Sequence, residues 1–125
     1  MWKEMLIERY FRSWLNQEIE VLESTFSKDV VYSECYGPEY QGIDQVLRWF
    51  TEWNKVGRVL EWRIKDYVHQ NDKTVVEWYF CCDYNHEISG FDGVSIIKFD
   101  DNGKIEELKE FQSKSEHYFP YGEKC

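Results

Sequence analysis

The chain has no run of about 18 apolar residues, so it offers no helical membrane span. Positive charge is in deficit: 15 Lys and Arg stand against 24 Asp and Glu, a formal net charge of −9. Nucleic acid and anionic membranes would be repelled, and neither is expected as a partner. There are only three histidines. His69 falls by a hairpin, His86 in a loop and His117 near the C-terminus, so a shared metal ion is not expected. No cofactor is implied. The four cysteines, Cys35, Cys81, Cys82 and Cys125, form no Cys-x-x-Cys pair. Adjacent Cys81 and Cys82 should point to opposite faces of a strand, and reduced thiols in a cytoplasmic protein are the expectation. Glu8, Arg9 and Arg12 interrupt the apolar stretch that a secretory leader would need.

What the chain has in quantity is aromatic surface. Six Trp, nine Tyr and eight Phe can build a core although 31% of residues are charged. The 125 residues have the length of one domain, and no linker, repeat or low-complexity tract divides them.

Apolar residues at 2, 5, 6, 7, 10, 11, 14 and 15 make a helical stripe, with Lys3, Glu4, Glu8, Arg9 and Arg12 opposite. Asn16-Gln17 ends it, and a short second helix turns Ile19, Leu22 and Phe26 inward. Val30 to Tyr36 reads as a strand by its β-branched and aromatic content. After a Gly-Pro turn, Ile43 to Trp53 is helical again, and Gly57 stops it. Period-two alternation then takes over. Leu60, Trp62 and Ile64 share one face; Val76, Trp78, Phe80 and Cys82 oppose Val75, Glu77, Tyr79 and Cys81; Val94, Ile96 and Lys98 oppose Ser95, Ile97 and Phe99. A last run extends from Ile105 to about Tyr118. Turn chemistry at 70–73, 85–86 and 101–103 separates these strands. The pattern predicts α-α-β-α-β-β-β-β, helices packed on a curved antiparallel sheet.

That order resembles the nuclear transport factor 2-like superfamily, and most of all its SnoaL-like branch, which also holds the ketosteroid isomerases. The resemblance is carried by the aromatic first helix, the strand-turn-Gly-helix unit ending at Gly42, and the hairpin sequence FDDNGKI from Phe99 to Ile105. It implies an α+β fold over residues 1–125: a cone-shaped curved antiparallel sheet packed by three helices from the N-terminal half, the cystatin-like α+β barrel. It also implies a pocket inside the cone for a small apolar molecule, and a homodimer through the uncovered sheet face bearing Glu77, Tyr79 and Cys81.

Within the resemblance, Glu34 falls where ketosteroid isomerases keep their general base, and Tyr10 where they keep an oxyanion-hole tyrosine. Such a pair would take a proton beside a carbonyl and stabilise the enolate. Departing from that pattern, Ser95 stands where a second oxyanion donor, a protonated aspartate, is expected. Glu110 adds a carboxylate aimed into the cone. Two anions there would repel, so either one is held protonated or one pairs with an arginine. Each residue also has a plain structural reading: Glu34 as a solvated strand-end residue, Tyr10 as a core ring.

Trp49 and Trp53, spaced i, i+4, share a helix face. Trp62, Trp78 and Phe80 lie on apolar strand faces, and indoles crowding a cone leave room for a flat, apolar ligand of modest size, oriented by Glu34, Ser95, Glu110 and Tyr32. The aromatic tail, with Tyr118 and Tyr121, is expected to fold over the pocket mouth as a lid. Two functions follow. One is an isomerase, cyclase or lyase using a pocket carboxylate as base on a hydrophobic carbonyl compound. The other is a non-catalytic ligand-binding or dimerisation module.

Overall fold

A computed structural model describes residues 1–123; Cys125 lies outside the described residues. Along the chain come α1 (Trp2–Asn16), α2 (Glu20–Thr25), β1 (Phe26–Ser33), β2 (Glu39–Gln41), α3 (Ile43–Val56), β3 (Gly57–Gln70), β4 (Lys73–Tyr84), β5 (Glu87–Phe99) and β6 (Ile105–Ser113). The strands form one sheet in the order β2-β1-β6-β5-β4-β3. β2 pairs antiparallel with β1, and β3 to β6 pair antiparallel in succession, but β1 and β6 run parallel, because the chain enters the sheet at β1 and returns beside it only at the end. The sheet is curved and does not close into a barrel, since β2 and β3 remain as its two edges.

From Ile7 onward the helical stripe buries as its spacing dictates, while Trp2 and Met5 at its start stay exposed. Ile7, Tyr10, Phe11 and Trp14 of α1 lie in the core, and Gln17 ends the helix in the left-handed conformation with its N–H on the Ser13 carbonyl. These side chains meet the inner sheet face: Phe11 stacks on Trp62 at 3.8 Å, and Tyr10 packs edge-on against Phe26 at 4.9 Å. Fully burying one such ring contributes roughly 1.5–3 kcal/mol.

Several sequence expectations are corrected. Phe26 opens β1 instead of closing α2, and β1 ends at Ser33, so Glu34 to Pro38 form the turn of a tight hairpin with β2. Leu60 leaves the inner face. The pairing of β3 with β4 slips between Val59 and Glu61 and again between Ile64 and Asp66, and each slip inserts an extra residue that reverses the alternation. Val59 and Trp62 therefore point inward while Leu60 is 44% exposed. These bulges bend β3, the long edge strand. β6 stops at Ser113, and among the described residues the tail beyond it makes no lid: Tyr118 and Tyr121 are 84% and 99% exposed and do not line the cavity described below.

Two glycines are required by geometry. Gly42 precedes α3 at φ 88°, a left-handed conformation that costs other residues energy, and donates its N–H to the Val30 carbonyl at 2.7 Å. Gly93 on β5 faces the Trp78 ring, where a Cβ would lie 2.4 Å from Cη2 and 2.5 Å from the Phe111 carbonyl oxygen. Only glycine lets the indole approach that strand so closely.

Candidate active site

Between α3, the β1–β2 turn and the inner faces of β3, β4 and β5 lies a cavity of about 750 Å³. That is roomier than crowding by indoles suggested and within the range of about 300–1,000 Å³ usual for ligand pockets. The indoles form its walls. Trp49 and Trp53 project from one face of α3, Trp62 comes from β3, and Trp78 and Phe80 come from β4. Tyr40 of β2 stacks on Trp49 at 4.7 Å, and Trp62 stands at 90° to Trp78.

Two carboxyls enter this apolar space. Glu34 reaches it from the hairpin turn, whose backbone is tied by Glu34 N–H to the Pro38 carbonyl at 2.9 Å. Its carboxylate accepts the Tyr40 hydroxyl at 2.8 Å. Burial raises the Glu34 pKa and the Tyr40 hydrogen bond partly offsets that. Glu110 reaches the cavity from β6, opposite Ser95 on β5. It keeps some accessible surface because it faces the cavity, yet its carboxyl is enclosed by protein. Burial, helped by the Glu34 charge, pushes Glu110 up to about 7 against the Tyr32 hydroxyl and the Cys35 backbone N–H, which pull it down.

Behind Glu110 runs a buried chain of donors. The Trp14 Nε1–H donates to the Tyr10 hydroxyl at 3.0 Å, Tyr10 to the Tyr32 hydroxyl at 2.7 Å, and Tyr32 to Glu110 Oε2 at 2.5 Å. Both phenols are wholly buried, and that burial holds their pKa values well above the ordinary range, so each stays protonated and donates. Direction is thus fixed from the indole to the carboxylate.

The structure gathers Glu34, Trp49, Trp53, Trp62, Trp78, Phe80 and Glu110 around one cavity. Tyr10 and Tyr32 lie one layer behind it and touch it through Glu110. Ser95 is also set back, fully buried, its Oγ accepting the Trp78 Nε1–H at 2.9 Å. Tyr40 was not anticipated; the signal was its place in the turn sequence YGPEYQG, which folds it opposite Tyr32 and beside Glu34. Cys35 also lines the cavity, but burial and the two carboxylates push its thiol up to about 12, so it is no thiolate nucleophile at neutral pH. Arg48, at the rim, pairs with Glu52 and with neither cavity carboxyl. Among the described residues no cluster could hold a metal ion, and no helix is long and apolar enough to cross a membrane.

The sequence profile of the SnoaL-like domain matches residues 7–108, from the first helix to the strand that carries Glu110. The chain belongs to the SnoaL-like domain family. No curated protein matches it. Solved structures share its fold at low identity. A hypothetical protein with a ketosteroid isomerase-like fold from Catenulispora acidiphila, in complex with trimethylamine, is 13% identical, with a TM-score of 0.76 over 85% of this chain and 83% of that one. An LEH-like epoxide hydrolase from M. tuberculosis is 12% identical, with a TM-score of 0.80 over 90% and 83%. A candidate SnoaL-like polyketide cyclase from Shewanella denitrificans is 16% identical, with a TM-score of 0.75 over 89% and 90%. At such identities the likeness concerns the fold, and neighbours with different chemistries share it.

Proposed function

We propose that this SnoaL-like protein is an acid–base enzyme, an isomerase, cyclase or lyase acting on a small apolar carbonyl compound. The observation that carries the reading is that Glu34 and Glu110 face one aromatic cavity in different environments. Glu110 is the more enclosed of the two, and burial with the help of the Glu34 charge holds its proton to about pH 7. Glu34 is then the base that removes a proton beside the carbonyl. Protonated Glu110 hydrogen-bonds the carbonyl oxygen and stabilises the developing enolate. This assignment restores the oxyanion donor missing at Ser95. Tyr10, the polarising acid of the family resemblance, becomes a positioning residue that acts through Tyr32 on Glu110. A small organic ligand is also in keeping with the trimethylamine held by the Catenulispora relative.

The test is deuterium uptake, in D2O, at the carbon next to the carbonyl in a panel of apolar ketones. Exchange should be catalysed, and Glu34→Gln and Glu110→Gln should each lower it by about 10²–10⁴-fold. Ligand binding without any exchange would overturn the enzyme and leave a binding module.

The outer sheet face supports a homodimer as well. Val75, Val94, Ile96 and Phe111 point away from the core, and Phe111 is 51% exposed. Sedimentation should give twice the chain mass, and Phe111→Lys should halve it; a monomeric wild type would contradict this.

A further inference from the structure

The charge around the cavity is one-sided. Glu34 and Glu110 stand inside it, and the Arg48 at its rim is occupied by Glu52 at 3.1 Å. No lysine or histidine lines the cavity among the described residues. A carboxylate held in an apolar cavity loses solvation that a hydrogen bond restores in part and an opposite charge restores further. The walls offer the second half of such a site. Trp14, Trp49, Trp53, Trp62 and Trp78 all border the cavity, with Trp62 meeting Trp78 and Trp14 meeting Trp53 edge to face. Ring faces carry the negative side of the aromatic quadrupole and attract cations, best of all at tryptophan. A neutral ketone would use the volume and leave Glu34 with the Tyr40 hydrogen bond but no opposite charge.

We infer that the ligand carries a cationic amine beside its apolar body, seated among Trp49, Trp53 and Trp62 with Glu34 as its counter-ion. The inference rests on the reading of this cavity as the ligand site, and it is independent of catalysis there. It predicts discrimination by charge at constant shape. It also gives the Tyr40 hydrogen bond a use: Tyr40 fixes the Glu34 carboxylate and stacks on Trp49, holding anion and ring together.

The probes are (3-hydroxyphenyl)trimethylammonium and its neutral carbon isostere 3-tert-butylphenol, titrated into the intact protein by tryptophan fluorescence and calorimetry at pH 8. The cation should bind at least about tenfold more tightly. Glu34→Gln should reduce the preference, Glu34→Gln with Glu110→Gln should bring the two within about twofold of each other because Glu110 is also ionised at pH 8, and Trp49→Leu, which keeps an apolar wall, should weaken the cation more than the phenol. Equal affinities, tighter binding of the phenol, or no binding of either probe would overturn the inference. Charge preference without proton exchange on any ketone would leave it standing and overturn the acid–base reading. Exchange on neutral ketones without charge preference would do the reverse.

Discussion

Replacing Glu110 by glutamine should change the way stability depends on pH. A carboxyl moved by burial from 4.5 to about 7 holds its proton more tightly when folded than when unfolded. Between those two pH values the folded state binds more protons, so stability falls as pH rises through the window and levels off above 7. At about 1.4 kcal/mol per pH unit the loss is roughly 3 kcal/mol by pH 8. Glutamine has no proton to lose, yet its amide oxygen can still accept the Tyr32 hydroxyl. Urea unfolding of wild type and Glu110→Gln, followed by tryptophan fluorescence at steps from about pH 5 to 8, isolates the effect. The variant should lose less stability across the range by about 2–3 kcal/mol, whatever constant offset the substitution causes. Parallel pH profiles would refute the reasoning, because they would mean that Glu110 has an ordinary affinity for protons. The same destabilisation at neutral pH is what a working acid costs a fold, so the stabler variant should be the less active one.

Two further perturbations test neighbouring parts of the account. Tyr32→Phe removes a donor that lowers the Glu110 pKa, so the alkaline limb of the exchange-rate profile should move to higher pH; an unmoved limb would detach Tyr32 from Glu110. Gly93→Ala places a methyl against Trp78 and the Phe111 carbonyl and should cost about 1–3 kcal/mol in urea unfolding, a loss absent if the strand simply shifts away.

Much of this architecture could be read from residue order. The α1 stripe buries Tyr10 and Phe11 on schedule because a helix fixes direction every 3.6 residues, whatever it packs against. Phe80 and Cys82 keep their expected face because β4 pairs with β5 without a slip. Leu60 failed for a local reason: Leu-Glu-Trp alternates as well in a bulged strand as in a regular one, and only the pairing with β4 shows the extra residue. Glu34 and Glu110 were found through family resemblance. Their environment could not be read that way, since Tyr32 and Glu110 are 78 positions apart and their hydrogen bond exists only because β1 runs parallel to β6. The depth of Tyr10 was hidden for a similar reason. Its helix face was legible, whereas the Tyr32 ring that separates it from the cavity comes from another element. The tail misled because aromatic content signals burial only when a surface exists to cover, and Tyr118 and Tyr121 meet none among the described residues.

Glu110 keeps its proton near neutral pH through burial, and the Glu34 charge beside it adds to the effect. Carboxyl 13C NMR titration of glutamate-labelled protein, with Glu110 assigned by Glu110→Gln, measures this directly in wild type and in Glu34→Gln. The account predicts a Glu110 midpoint near 7 in wild type and a lower one once the Glu34 charge is gone. A midpoint at the ordinary 4.5, unmoved by Glu34→Gln, would contradict it.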